Sequence, residues 1–448
     1  MVSWRAVLSK VKALIVPACT DLNRGDQALV WEAAYLIQNS FGENCEIGIV
    51  DYGNSDEDRH KQSKQTRSAG FKIFRNIIEN PKRVIKNTGV HDSRWTVIQA
   101  GVQALIDFVK HFILLMLPYK PVFNMFFKNK EYLESFSFLK ESDCIVVKGG
   151  GFLHTYGKLG DLYYLWFGLY YLLLAIRLKK KIIFLPNSVG PITGISNRTF
   201  VRYILSRVDK LYVREGISLE YLKSIGVFNS ELAFDLGYYS KEKDTLRHET
   251  KKVISNTLNV KKIGITVRPY RFPHSSDPIE RYENYISSIA EYCNKNSDCE
   301  FYFIVQVQGP SKHETDLIAI SDVISKLEMS VSYKIVDGDF DYKDLMTVYK
   351  GLDFLIGTRF HSVIFSQVMG VPSMAIAYGG NKSKGIMEDI GLGEYVVAIE
   401  EINFETLNIM MANLQNNADE YKNKLDLAKA RIRLERVKVI EELKEIIK

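Results

Sequence analysis

A chain of 448 residues, 46% hydrophobic and 25% charged, has ordinary globular composition and the length of two domains. Its net charge of +6 and pI of 8.7 are too weak and too dispersed for nucleic acid, and suit an anionic small substrate or a membrane surface. Five scattered cysteines with no CxxC argue against a disulfide framework and for a reducing compartment, and with eight histidines they show no zinc spacing.

The opening "MVSWRAVLSKVKALIVPAC" lacks the layout of a signal peptide. Its apolar run, residues 13–18, is short, follows lysines and reads as a first strand, so a cytoplasmic location is expected. "GDQALVWEAAYLIQNSF" sets Ala28, Leu29, Ala33, Leu36 and Ile37 on one helix face. "CEIGIVDYG" is the next strand. Residues 55–140 read as an insertion, with the basic "HKQSKQTR" and "NPKRVIKNTG" and the apolar "ALIDFVKHFILLMLP". A mobile segment, an acceptor-binding flap and a membrane contact are the alternatives for it. "DCIVVKGGG" is a strand running into glycines. "LYYLWFGLYYLLLAI", residues 162–176, falls short of the ~20 residues that cross a bilayer. It reads as a buried helix, with a membrane-contacting helix as the alternative.

"KKIIFLPNSVGP", "DKLYV" and "SELAFDLGYY" complete a first set of strands alternating with helices. After a charged linker, residues 241–259, the pattern restarts with "KIGITVRPY", "EFYFIVQVQG", "SYKIVDG", "DFLIGTRFHS" and "SMAIAYG". The alternation predicts an α/β protein with two Rossmann-like domains facing a cleft, over residues 1–250 and 251–425, and an amphipathic helix over 426–448.

In such sheets ligands bind beyond the carboxyl ends of the strands, so polar residues there are the candidates. Asn23, Gly25 and Asp26 follow the first strand; Asp26 is either a helix cap or a carboxylate facing the cleft. Gly150 and Gly151 expose backbone N–H groups, and His154 follows them. Asn187 sits in a turn after its strand, Arg214 precedes a helix, and Arg268 ends the first strand of the second half. Arg359 and His361 in "TRFHS" stand at a helix start, the end that already attracts anions. "YGGNKSKG" adds Tyr378, Lys382 and Lys384. Together they predict a ring of positive charge around an anion, with arginine as the planar anchor and histidine able to move a proton.

In this order "NRGDQAL", "VVKGGGFL", "LYVREGISLEYLKSIGV", "FDLGY", "IGITVRP", "LIGTRFHSVIFSQVMGVP" and "AYGGNKSKGIMEDIGL" resemble the polysaccharide pyruvyl transferase family over residues 13–392. A departure is Asp235-Leu236, where the family usually has Asp-Pro. The resemblance implies a fold similar to GT-B glycosyltransferases, with an acceptor-binding first domain and a phosphoenolpyruvate-binding second. It implies transfer of the enolpyruvyl unit of phosphoenolpyruvate onto two sugar hydroxyls as a ketal, with phosphate released and neither cofactor nor metal. Arg359 and His361 fall on the motif that looks like the phosphoenolpyruvate site. Phosphoenolpyruvate has two anionic ends, which Arg359, Arg268, Arg214 or Lys384 would hold. His361 is the candidate acid and Asp26 the candidate base. A lipid-linked acceptor at the inner membrane face would fit. Two alternatives remain: a nucleotide-sugar glycosyltransferase using Glu388 and Asp389, and a non-catalytic scaffold held to the membrane by the aromatic helix.

Overall fold

The computed structural model describes residues 10–42, 45–53, 55–79, 81, 94–155, 157–158, 160–242, 253, 260–273, 275–310, 314–379 and 382–447. The first sheet contains, in chain order, β1 (Lys12–Cys19), β2 (Glu46–Asp51), β3 (Lys72–Phe74), β4 (Cys144–Val147), β5 (Gly150–Leu153), β6 (Lys181–Val189), β7 (Lys210–Val213) and β8 (Ser230–Leu232). They lie parallel in the order β3-β2-β1-β4-β6-β7-β8, with β5 beside the end of β6. The second sheet contains β9 (Lys262–Thr266), β10 (Glu300–Ile304), β11 (Ser332–Val336), β12 (Phe354–Gly357), β13 (Ser373–Ala377) and β14 (Val396–Ala398). Its order, again parallel, is β11-β10-β9-β12-β13-β14.

Successive residues of β1 divide between two cores: Ala13 and Ile15 join one, Leu14 and Val16 the other. Cys144 and Val146 separate from Ile145 and Val147 in the same way. Both faces of the sheet are therefore covered, which is why these strands read as continuous apolar runs. In each sheet the strand order reverses beside the first strand, between β1 and β4 and between β9 and β12. Crevices open at such reversals.

Part of the stretch expected to be an insertion belongs to the first sheet. The helix Asp56–Ser68 and β3 extend it past β2. The helices Arg94–Met116, Lys120–Phe126 and Lys130–Glu141 then lead to β4, and most of "NPKRVIKNTG" lies outside the described residues. So does most of the expected linker. The aromatic helix, Asp161–Arg177, is a core element: Leu165, Leu169 and Tyr170 are fully buried. It offers no continuous face to a membrane.

The two domains are joined by backbone as well as side chains. Asn23 pairs with Val307 in an isolated antiparallel bridge, flanked by Arg24 N–H to Gln306 O (3.1 Å) and Gln308 N–H to Leu22 O (2.7 Å). Buried Arg24 reaches across to Gln308 Oε1 (2.8 Å), and Tyr342 donates to Glu32 (2.7 Å). The last helix, Ala418–Ile447, returns from the second domain to the first. There its Glu435 accepts from Phe234 N–H (2.7 Å) and Tyr239 Oη (2.9 Å).

Candidate active site

A cavity of about 190 Å³ lies where the carboxyl ends of β1 and β4 meet those of β10, β12 and β13. From the first domain it is lined by Asn23, Asp26, Leu29, Gly150 and Gly151. From the second come Gln306, Val307, Arg359, Phe360, His361, Tyr378 and Lys382. A second concavity, beside Asp51, Arg59 and Arg75, holds only about 10 Å³, and its charges pair among themselves. Among the described residues no cluster of His, Cys, Asp or Glu has metal-holding geometry.

On the second-domain wall the helix Phe360–Val368 follows β12 directly, with Arg359 at its N-cap. No side chain caps it, and Phe360 and His361 face the cavity, so its positive end does too. Arg359 is held from behind. Its Nε and Nη2 meet buried Asp316 Oδ1 at 2.7 and 2.6 Å, and Nη2 donates to Glu314 O at 2.9 Å. Asp316 in turn accepts from the N–H groups of Gln306 and Val307 at 2.9 Å. The anchor is thereby fixed to the end of β10, and an alanine at Arg359 would strand a buried carboxylate.

His361 is largely buried, its Nε2 lying 3.7 Å from Asp235 Oδ1, beyond hydrogen-bond range. A Cβ on Gly25 would stand 2.2 Å from His361 Nδ1, and one on Gly237 3.6 Å from its Cδ2. Gly25 thus makes room for this ring from the opposite domain, and Gly237 lies in ordinary contact with it. Burial, then the charge of Lys382, push the imidazole down to about 4, against the pull of Asp235. Burial, then Arg214, push Lys382 down to about 7. Tyr378 goes the other way: burial opposes its ionisation, but Arg268 and Arg359 draw the phenol below its ordinary value. The Arg268 guanidinium stacks 4.0 Å from the centre of that ring.

On the first-domain wall Asn23 is the helix cap, its Oδ1 accepting from the N–H groups of Gly25 (3.1 Å) and Asp26 (3.3 Å). Asp26 is therefore released from capping. Its carboxylate accepts from Thr20 N–H (3.1 Å) and pairs with the Lys148 ammonium at the end of β4. Gly150 has φ +154° and Gly151 is exposed, so the loop presents backbone to the cavity. Behind it Arg214 is fully buried, bound to Asp235 (2.6 Å) and Ser188 (2.7 Å). A Cβ on Gly151 would stand 2.8 Å from Arg214 Nη2. Burial opposes charge on Asp235, yet Arg214, His361 and Lys382 hold its carboxyl well below the usual carboxylate range.

Over residues 23–380 the chain matches the family model for polysaccharide pyruvyl transferases. It belongs to that family. The amylovoran biosynthesis protein AmsJ of Erwinia amylovora is 25% identical over 313 residues, covering 67% of this chain and 73% of that protein. Among solved structures, Arabidopsis thaliana UGT89C1 in complex with quercetin superimposes with a TM-score of 0.53 at 10% identity, covering 98% of this chain and 99% of that one. An S. aureus MnaA–UDP structure gives 0.53 at 10% identity, covering 93% and 90%. These likenesses show the fold, the GT-B arrangement of two facing Rossmann-like domains.

Of the residues singled out by sequence, this member of the family brings Asn23, Asp26, Gly150, Gly151, Arg359, His361 and Tyr378 together around one cavity. Others lie elsewhere. Arg214 stands behind the glycine loop rather than on the wall. Asn187 is buried, its Nδ2 donating to Lys148 O (2.9 Å) and Leu185 O (2.8 Å), and supports the strand end that carries Lys148. His154 packs near Tyr164 outside the cavity. Arg268 reaches the cavity only through Tyr378. Lys384 is exposed beside Glu388 (3.9 Å), and Lys382 takes its place on the wall. Lys148 and Gln306 had not been singled out, although both sit one or two positions past a strand.

Proposed function

We propose that this transferase moves the enolpyruvyl unit of phosphoenolpyruvate onto two hydroxyls of a sugar in a lipid-linked polysaccharide precursor. The observation that carries the reading is the imbalance of charge on one wall. Arg359 and Lys382, with Arg268 behind Tyr378, gather at an uncapped helix start where the wall's own buried carboxylate is Asp316, and Asp235, already bound to Arg214, approaches from the first domain. A small acid with a phosphate at one end and a carboxylate at the other satisfies that wall. The volume, about 190 Å³, lies below the ~300–1,000 Å³ of sites for larger ligands such as a nucleotide sugar. Glu388 and Asp389, the carboxylates such a donor would need, turn away: Glu388 is exposed and Asp389 accepts from Gly216 N–H (3.3 Å). The name of the Erwinia relative, an amylovoran biosynthesis protein, supports a polysaccharide acceptor.

The chemistry requires one proton on the methylene carbon and two taken from the acceptor. In this reading Lys382, on the cavity wall and with its pKa pushed down to about 7, protonates that carbon in place of His361, the acid expected from sequence. An acceptor hydroxyl then attacks the cationic carbon beside it, losing its proton toward Asp26. Phosphate departs as the carbon–oxygen bond to it breaks, and the second hydroxyl closes the ketal. His361 is neutral in the empty cleft, so it enters as a hydrogen-bond donor to the phosphate. The arriving dianion raises its proton affinity, as it does that of Lys382, and lets either accompany the leaving group. Asn23 and the N–H groups of Gly150 and Gly151 face the sugar.

The test is phosphate release from phosphoenolpyruvate with candidate lipid-linked oligosaccharides, followed by mass spectrometry of the glycan. Acceptor-dependent release with the mass of a pyruvate ketal is expected. Release from no such acceptor, with turnover of a nucleotide sugar instead, would replace this reading with a glycosyltransferase.

A further inference from the structure

The helix Arg94–Met116 is built inside out. Its polar residues turn toward the protein: Asp107 and His111 are buried, and His111 bridges Asp107 O (2.6 Å) and Ile77 O (2.9 Å). Its apolar residues turn outward. Leu105 is 64% exposed, Ile106 55%, Val109 50% and Phe112 46%. Over residues 98–116 mean hydropathy reaches 1.4 while only 17% of the stretch is buried. Water gives no reason for this orientation, since the same helix rotated by half a turn would bury more apolar surface.

The sequence around it is basic: residues 80–130 contain eight lysines and arginines against two aspartates, one of them the buried Asp107. Lys120, Lys128 and Lys130 are exposed just past the helix, and Arg177 donates to Met116 O (3.2 Å) at its end. Tyr119, 57% exposed, stands at the same edge. Apolar face, flanking cations and an edge tyrosine are the layout of a segment lying in a bilayer interface. A spanning orientation is excluded while the fold is intact, because the His111 side is fastened to Ile77 and to Tyr170, whose hydroxyl donates to His111 O (2.9 Å).

We propose that this face docks the protein on an anionic membrane surface, the helix lying flat among the headgroups. Packing links the docked helix to the first-domain side of the cleft. Phe108 packs on Trp166 (ring centres 4.8 Å apart), in the helix that follows the glycine loop, and Tyr164 of that helix donates to Phe152 O (2.9 Å) within the loop. A glycan anchored in the same leaflet would arrive beside Gly150 and Gly151. The docking itself rests on none of the transfer chemistry.

Sedimentation of the full chain with vesicles tests it. Binding is expected with phosphatidylglycerol mixed into phosphatidylcholine, weaker in high salt and far weaker on phosphatidylcholine alone. Leu105→Glu with Phe112→Glu, both outward-facing, should weaken binding by about tenfold or more per substitution. Their thermal unfolding should match the unsubstituted chain. Equal vesicle binding by the double variant would overturn the proposal, as would no binding by the unsubstituted chain. A dimer that the double variant converts to monomer, with vesicle binding unchanged, would assign the face to a second copy instead. Failure of alkaline carbonate to release the protein from native membranes would also overturn docking in favour of spanning.

Discussion

The two domains that flank the cleft bring cations near it and treat them differently. On the first-domain side each has a carboxylate: Lys148 lies on Asp26 and Arg214 on Asp235. On the second-domain side only Arg359 does, through Asp316; among the described residues Lys382 and Arg268 have none within ion-pair distance. A neutralised wall with exposed backbone suits hydroxyls. A wall with surplus charge is complete only when an anion arrives. On the proposed function, the difference separates a sugar side from a donor side more sharply than any single residue does.

The largest test of that contrast is Lys382. Lys382→Met should reduce turnover by about 10³-fold. Lys382→Arg should not restore it, because a guanidinium stays protonated. In the unsubstituted enzyme kcat/KM should fall as pH rises through about 7, where the free ammonium loses its proton. The limb on kcat should lie higher, since bound donor favours the ammonium. Stability runs the other way. The folded pKa of Lys382 is below its unfolded value, so between about 7 and 10.5 the unfolded chain holds more protons and stability rises with pH. Below that window the folded chain bears the cost of a poorly solvated charge, so Lys382→Met should unfold at higher urea than the unsubstituted protein. Coincident urea midpoints with retained turnover would mean that the wall is not charged in the way described.

The alternation of strands and helices, and hence the two sheets, was legible because buried parallel strands leave unbroken apolar runs. "TRFHS" was legible because cations at a helix start are unusual. Lys382 and Lys384 were not separable: they are two apart, and at 100° per residue they leave a helix on opposite sides, with no sign in the sequence of which side is in. The same ambiguity hid the helix Arg94–Met116, since an apolar stripe has the same period whether it faces a core or a lipid. Arg214 and Asn187 misled for another reason. A polar residue after a strand can turn back under the loop and hold it, as both do here.

A smaller effect tests how the walls meet. Gly25 belongs to the first domain, yet the space its Cβ would need is filled by His361 from the second. Gly25→Ala must move the ring or the backbone that carries it. Turnover should drop by about 10²-fold, the scale of losing one proton-transfer or donor group. Combined with His361→Ala, the glycine substitution should add little, because both act on one ring. Fully additive losses would mean that Gly25 serves the domain contact and not the histidine.

The mildest substitution probes the outermost cation. Arg268 touches the cavity only through Tyr378, so it should steer and hold the donor rather than take part in bond changes. Arg268→Gln should raise KM for phosphoenolpyruvate by about tenfold, the value of one charge-assisted hydrogen bond, with kcat nearly unchanged. Tyr378→Phe keeps the stacked ring and should leave KM closer to normal. If Arg268→Gln lowered kcat at constant KM, its charge would be felt only in the transition state. The donor would then sit deeper against Tyr378, and the surplus charge of this wall would be serving the reaction rather than the binding of its substrate.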